Sequence, residues 1–219
     1  LLQDFPEVTK YTSKPTALFS NTQIENPNLM LEGMPNYRSG VDGLRVSNST
    51  KGGITFAAST TQNGIHMITV VLGVEAVDGD PYARFVATSS LMNYVVRTFV
   101  SSIVVKEGDP YGKSKATVMD GKSETVLAVA KKDFYIVEKQ GSQAEPKIQF
   151  KSNQESFRAP VKSGTNLGKL HYTDPDKIGR GYLEDQEPTV DMVSGRTIEK
   201  SFFLKVWWNE FVRYVNEKL

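Results

Sequence analysis

The chain has 219 residues, a formal net charge of +1 and no cysteine. That balance excludes a global pull toward nucleic acid, and the missing cysteines exclude disulfides, thiolate metal sites and a cysteine nucleophile. With 39% apolar and 23% charged residues, the chain can fill one large core or two small ones. No basic run offers a phosphate-tracking surface. The first ten residues, LLQDFPEVTK, have no starting Met, basic n-region or long apolar run. They do not read as a signal peptide but as the interior of a longer protein.

The first hundred residues read as mixed α and β. Gly53–Thr60 and Ile65–Leu72 are apolar or alternating runs, with Asn63-Gly64 between them. Asn-Gly readily takes the positive φ angles of a tight hairpin, so two antiparallel strands are expected at the heart of a sheet. Asp80 is then expected as a helix N-cap, with Pro81 at the first helical position. Tyr82, Phe85, Val86, Met92, Val95, Val96 and Phe99 follow at helical spacing. They predict an amphipathic helix over 81–100 that packs on the sheet.

The pattern changes after about residue 101. Ile103–Val105, Val126–Val129, Phe134–Val137 and Leu167–Tyr172 are short apolar runs separated by Gly, Pro and Asp turns. Their spacing predicts a small all-β sandwich or barrel.

A last helix is expected from about residue 197. Lys205, Asn209, Arg213, Asn216 and Glu217 fall on one narrow stripe, and aromatic and aliphatic residues fill the remaining circumference. A soluble surface helix usually has the opposite proportions. The pattern suits a helix lying in a membrane interface through Phe203, Trp207, Trp208 and Phe211. Lys205, Glu210 and Arg213 interrupt it as a span, and it would reach only roughly 27 Å. The alternative is a helix packed into a groove or against a partner.

Chemical constellations are few. His66 and His171 stand far apart in predicted strands and read as structural, and no spacing suits a metal. No cofactor is expected. Asp174–Asp176 and Glu184–Glu187 read as solvated loops. Gly40–Gly43 and Gly52-Gly53 are not phosphate loops, because neither has a nucleotide-binding pattern before a helix.

Gly40-Val41-Asp42-Gly43-Leu44, a glycine about nine residues on, and the Asn-Gly hairpin ending in Val70–Gly73 together resemble the low-molecular-mass penicillin-binding proteins. These are serine D-alanyl-D-alanine carboxypeptidases, and the likeness is to those of Gram-positive cocci. Phe5–Lys14, Asn28–Gly33, Pro81–Phe85 and the C-terminal helix extend the resemblance over essentially the whole chain. It implies an α+β fold. Residues 1–102 would be the C-terminal part of a penicillin-binding, β-lactamase-like transpeptidase domain. Residues 103–194 would be an all-β domain, and 195–219 an amphipathic anchor. It also implies peptidoglycan stem peptides and β-lactams as ligands, and a peripheral place on the extracellular face of the cytoplasmic membrane.

Family catalysis uses SxxK, SxN and Lys-Thr-Gly motifs. No serine here has Lys three residues on or Asn two residues on, so no catalytic residue is assigned. The third motif falls at Arg45-Val46-Ser47, which the resemblance makes substrate-binding. Arg45 keeps a positive charge as a planar fork, Val46 lacks the hydroxyl, and Ser47 adds a side chain where the family has glycine. Lys162–Thr165 reads as a turn, and Lys51-Gly52-Gly53 matches the motif less well. Two readings follow: the C-terminal part of a carboxypeptidase whose nucleophile lies outside this chain, or a non-catalytic, membrane-attached relative. An unrelated peripheral membrane protein is the third alternative.

Overall fold

A computed structural model describes all residues except 3, 76–78, 175, 180, 183–185 and 219, and omits the side chains of 210, 213 and 216–218. The expected loop at 184–187 therefore lies partly outside the described residues, as do the Arg213, Asn216 and Glu217 side chains. The chain forms two compact units, Leu1–Ser101 with Val137–Gln140 and Ser102–Ile136 with Gly141–Leu219.

The first unit begins with α1 (Thr9–Thr12) and a hairpin of β1 (Thr16–Phe19) and β2 (Thr22–Glu25). Its centre is an antiparallel sheet in the order β3 (Val41–Ser49), β4 (Gly53–Gln62), β5 (Ile65–Val74). Asn63 and Gly64 both have positive φ, 51° and 75°, and Gln62 pairs with Ile65. That is the two-residue turn expected of Asn-Gly. Phe56, Ala58, Ile65, Met67 and Val71 are buried on one face of the sheet. Helix α2 (Ala83–Thr98) covers that face with Phe85, Thr88 and Met92. Phe85 meets Phe56 edge to face, ring centroids 5.3 Å apart.

The helix start departs from expectation. Asp80 Oδ1 accepts the Tyr82 N–H at 2.8 Å, so Asp80 closes a turn before the helix, and the first helical residue is Ala83, not Pro81. Tyr82 and Val86 lie exposed, while Arg84 and Thr88 take buried positions. Hydropathy spacing misses this because it assigns polar residues to water.

Two strands, β6 (Phe99–Val105) and β9 (Phe134–Lys139), pair with each other. The second unit is built on a six-stranded sheet of β7 (Pro110–Met119), β8 (Thr125–Ala130), β10 (Lys147–Ser152), β11 (Phe157–Arg158), β12 (Asn166–Thr173) and β13 (Thr189–Ser194). Its order is β10-β12-β13-β8-β7-β11, antiparallel except for the short β11–β7 pairing. Val126, Ala128, Leu170, Tyr172, Val190 and Met192 form its core, which Val105, Phe134 and Ile136 join.

The final helix, α3 (Phe203–Lys218), begins later than residue 197. Val161 and Ile198 exchange backbone hydrogen bonds of 3.0 and 2.8 Å, and Ile198 is buried in the core. That pairing keeps the segment extended until the ladder contacts end. A Leu170→Ala variant is expected to lose about 2–5 kcal/mol, since Leu170 is fully buried and the core collapses only partly around a cavity. Urea unfolding of the chain measures it. An unchanged midpoint would contradict this core.

Candidate functional site

Strand β3 lies at one edge of the three-stranded sheet, paired only with β4 among the described strands. Arg45 pairs with Ala57, Val46 with Phe56 and Ser47 with Thr55. Strand alternation puts Val46 against the core, while Arg45 and Ser47 are exposed on the opposite face. The three residues therefore do not act from one face: Arg45 and Ser47 come together, and Val46 is a packing residue.

The start of β3 is held by its neighbours. Asn28, fully buried, donates to the Gly43 carbonyl at 3.4 Å, and Thr12 Oγ1 donates to the Asp42 carbonyl at 2.6 Å. A Cβ on Gly43 would lie 2.5 Å from Thr12 Oγ1, so only glycine allows α1 this close.

The far end of β3 is held by Arg84, which the sequence reading did not single out. Its Nη1 donates to the carbonyls of Ser47 and Thr55, both at 3.1 Å, and its Nη2 donates to Asn48 Oδ1. Ser47 O also accepts from Thr55 Oγ1 at 3.1 Å. Burial lowers the Arg84 pKa, but a guanidinium stays charged in proteins. Its positive charge is met by carbonyl dipoles. The available signal was an arginine one residue from Phe85, on a helix whose first turn faces the sheet.

His66 Nε2 lies 3.0 Å from Ser59 Oγ, the neighbouring position on the same sheet face. Burial, then Lys151 and Lys169, lower the His171 pKa, with Glu187 opposing. Lys162–Thr165 is a turn: the Thr165 N–H donates to the Lys162 carbonyl at 3.1 Å, and Gly164 has φ +81°. Among the described residues no group of His, Cys, Asp or Glu could hold a metal ion.

Two residues of the polar stripe of helix α3, Lys205 and Asn209, reach their own domain. Asn209 Nδ2 donates to Asp120 Oδ1 at 3.4 Å, and Lys205 Nζ lies 3.7 Å from Glu124 Oε1. Asp120, its side chain 2% exposed, also accepts from Arg158 Nε at 3.1 Å. The Lys205 side chain is 49% exposed and that of Glu124 86% exposed, so this pair lies in solvent. Phe203, Trp207, Trp208 and Phe211 are 48–67% exposed, and Trp207 stacks on Phe211 with centroids 5.9 Å apart. Among the described residues no helix is long and apolar enough to cross a membrane.

Comparison with known proteins settles the family. Residues 99–200 match the family model for the C-terminal domain of penicillin-binding protein 5. A solved structure, a peptidoglycan synthesis regulatory factor (PBP3) from Streptococcus pneumoniae, superposes with a TM-score of 0.86 at 43% identity. That superposition covers 91% of this chain and 54% of the other. The chain belongs to the low-molecular-mass penicillin-binding protein family. The D-alanyl-D-alanine carboxypeptidase DacA of Haemophilus influenzae is 26% identical over 173 residues, 78% of this chain and 42% of that protein. DacA of Escherichia coli K12 is 22% identical over the same length, 40% of that protein. Penicillin-binding protein 5 from H. influenzae, at 23% identity and a TM-score of 0.59 over 91% of this chain and 53% of its own, shares the fold. The chain thus spans about two-fifths of the length of these curated relatives.

The Arg84 geometry gives a direct test. Arg84→Met removes the guanidinium donor from the carbonyls of Ser47 and Thr55, leaving Ser47 O its bond from Thr55 Oγ1, at an expected cost of about 1–3 kcal/mol. Amide exchange should accelerate in residues 46–49 and stay unchanged in β8 and β13. Equal exchange at 46–49 in both proteins would show that the clamp does not hold this strand.

Proposed function

We propose that the first unit is the C-terminal part of a serine D-alanyl-D-alanine carboxypeptidase domain, whose nucleophile lies outside this chain. The parent would trim terminal D-Ala from peptidoglycan stem peptides through a serine ester. The observation that carries this reading is the exposed edge strand at Arg45–Ser47, held at its backbone by Arg84. An edge strand offers unpaired backbone groups beside which an extended peptide can lie. Arg45 supplies the positive charge for the peptide's terminal carboxylate. The opposite row of β5 supports the reading too: Ile68, Val70 and Leu72 are 55–74% exposed on the face away from α2. A sheet face that meets only water usually carries polar residues, so this row fits coverage by further chain of the parent.

The second reading is a non-catalytic relative acting as a binding or scaffold module. It rests on Arg45-Val46-Ser47 itself, which lacks the threonine hydroxyl and the glycine of the family motif. A chain without an SxxK serine forms no acyl-enzyme, so this chain alone should take no label from a fluorescent β-lactam. A parent that carries SxxK and SxN upstream should label. One that does not label favours the scaffold reading. In a labelling parent, Arg45→Lys, Val46→Thr and Ser47→Gly together should raise the carboxypeptidase rate on the order of 10²-fold, the usual worth of a preorganised donor at a developing charge. No gain would show that residues 45–47 are not the substrate strand.

The proposal places the protein peripherally on the extracellular face of the cytoplasmic membrane, attached through α3. Its Asn209 and Lys205 meet Asp120 and Glu124, and its aromatic face is left in solvent. Burying large side chains yields about 1.5–3 kcal/mol each, and aromatic rings favour the headgroup boundary. The chain is expected to float with phosphatidylglycerol-containing vesicles. A version ending at Ser201, which keeps Ile198 in the core, is expected to stay behind. So is the triple variant Trp207→Ser, Trp208→Ser, Phe211→Ser. If the intact chain also stays behind, α3 is a protein-docking helix and the membrane assignment fails.

A further inference from the structure

The outer face of the six-stranded sheet carries a groove of about 650 Å³ along β7, β8 and β13. Strand β8 alternates: Val126, Ala128 and Ala130 enter the core, and Thr125, Leu127 and Val129 face outward. Leu127 and Val129, with Val193 from β13, floor the groove where a solvent-facing sheet would carry polar side chains. Gly195 also lines it, and a Cβ there would lie 3.0 Å from Val129 Cγ1. Glycine at this place keeps the floor open.

Charge is concentrated at the rim. Lys115, Lys131 and Arg196 line the groove against the single carboxylate of Glu107. None of the three cations is ion-paired among the described residues. Three unspent cations over an apolar floor call for a ligand that brings carboxylates and aliphatic groups together. The lining has no aromatic side chain on which a sugar ring or a nucleobase would stack. A phosphodiester polymer would leave the aliphatic floor unmatched. The outward row along β8 repeats every second residue, the period of an extended peptide. An arginine fork also matches a carboxylate in geometry.

We propose that this groove binds an extended acidic segment of a partner protein. The segment's aliphatic side chains rest on Leu127, Val129 and Val193, and its carboxylates meet Lys115, Lys131 and Arg196. The ligand differs from the stem peptide of the β3 edge strand, and the proposal does not depend on that strand's activity.

The test is a nuclear magnetic resonance titration of the intact, ¹⁵N-labelled chain. The probe is an acetylated, amidated hexapeptide of alternating leucine and glutamate. Saturable shifts are expected at the amides of residues 127, 129, 193 and 195. The same peptide with glutamine for glutamate should bind at least tenfold more weakly. The double variant Lys115→Glu, Lys131→Glu should lose affinity by tenfold or more with its unfolding midpoint unchanged. If that variant unfolds, Arg196→Gln provides the same comparison with a several-fold loss. Shifts confined to α3, equal binding of the glutamine peptide, or undiminished binding by the folded variants would overturn the proposal. Tighter binding of a glycerol-phosphate oligomer or of a D-alanine-terminated stem peptide would also overturn it, by assigning the groove to a wall polymer.

Discussion

The two-residue turn at Asn63-Gly64 sets the register on which the first unit depends. It joins β4 to β5 with Gln62 opposite Ile65, and the pairs as far as Phe56 with Val71 follow from that one, before a bulge shifts Ile54 to Val74. A slip of one residue would exchange the two faces of the strand. Phe56 and Met67 would go to solvent, and Ala57 and Ile68 would face α2. The register of β3 against β4 is set at their own turn, with Ser49 opposite Gly53, and it puts Val46 beside Phe56 and sends Arg45 and Ser47 to the other face.

In the second unit, a helix with more apolar than polar circumference has to choose which side to dock. Helix α3 docks by the polar side, through Asn209 to Asp120 and Lys205 to Glu124. Those contacts are weak singly, since an exposed ion pair is worth about 0–1 kcal/mol. Asp120 is different, because it is buried and also holds Arg158. It lies in the left-handed region at φ 59°, immediately before Gly121, at the end of β7. The result is a helix whose aromatic face finds no cover in its own domain. That imbalance is the physical basis for the proposed membrane attachment.

Much of this arrangement was legible in the sequence because its signals are local. Asn-Gly between alternating strands, helical spacing after Asp80-Pro81, and aromatic residues around a thin polar stripe each need only a short window. What escaped the reading depends on tertiary partners. Arg84 looks like a solvent cation until the carbonyls of Ser47 and Thr55 are brought beneath it. Residues 197–202 have no strong preference, and the pairing of Ile198 with Val161 decides their extended form. The groove on β8 was invisible for the same reason, because Lys115, Lys131 and Arg196 lie far apart in sequence and converge only through strand order.

The clamp also explains how residues 45–47 could vary while their strand persists. Arg84 binds main-chain carbonyls of Ser47 and Thr55 together with the Asn48 side chain, and none of these bonds involves the side chains of residues 45–47. Of those three side chains, Val46 alone packs against the core, and valine and threonine differ little in shape. Arg45 and Ser47 project from the exposed face and carry little of the fold. Substitution at these positions therefore alters what the edge strand offers a ligand and leaves the strand in place. Retention of the fold is consequently no argument for retention of turnover, and the two proposed functions must be separated by chemistry at the strand.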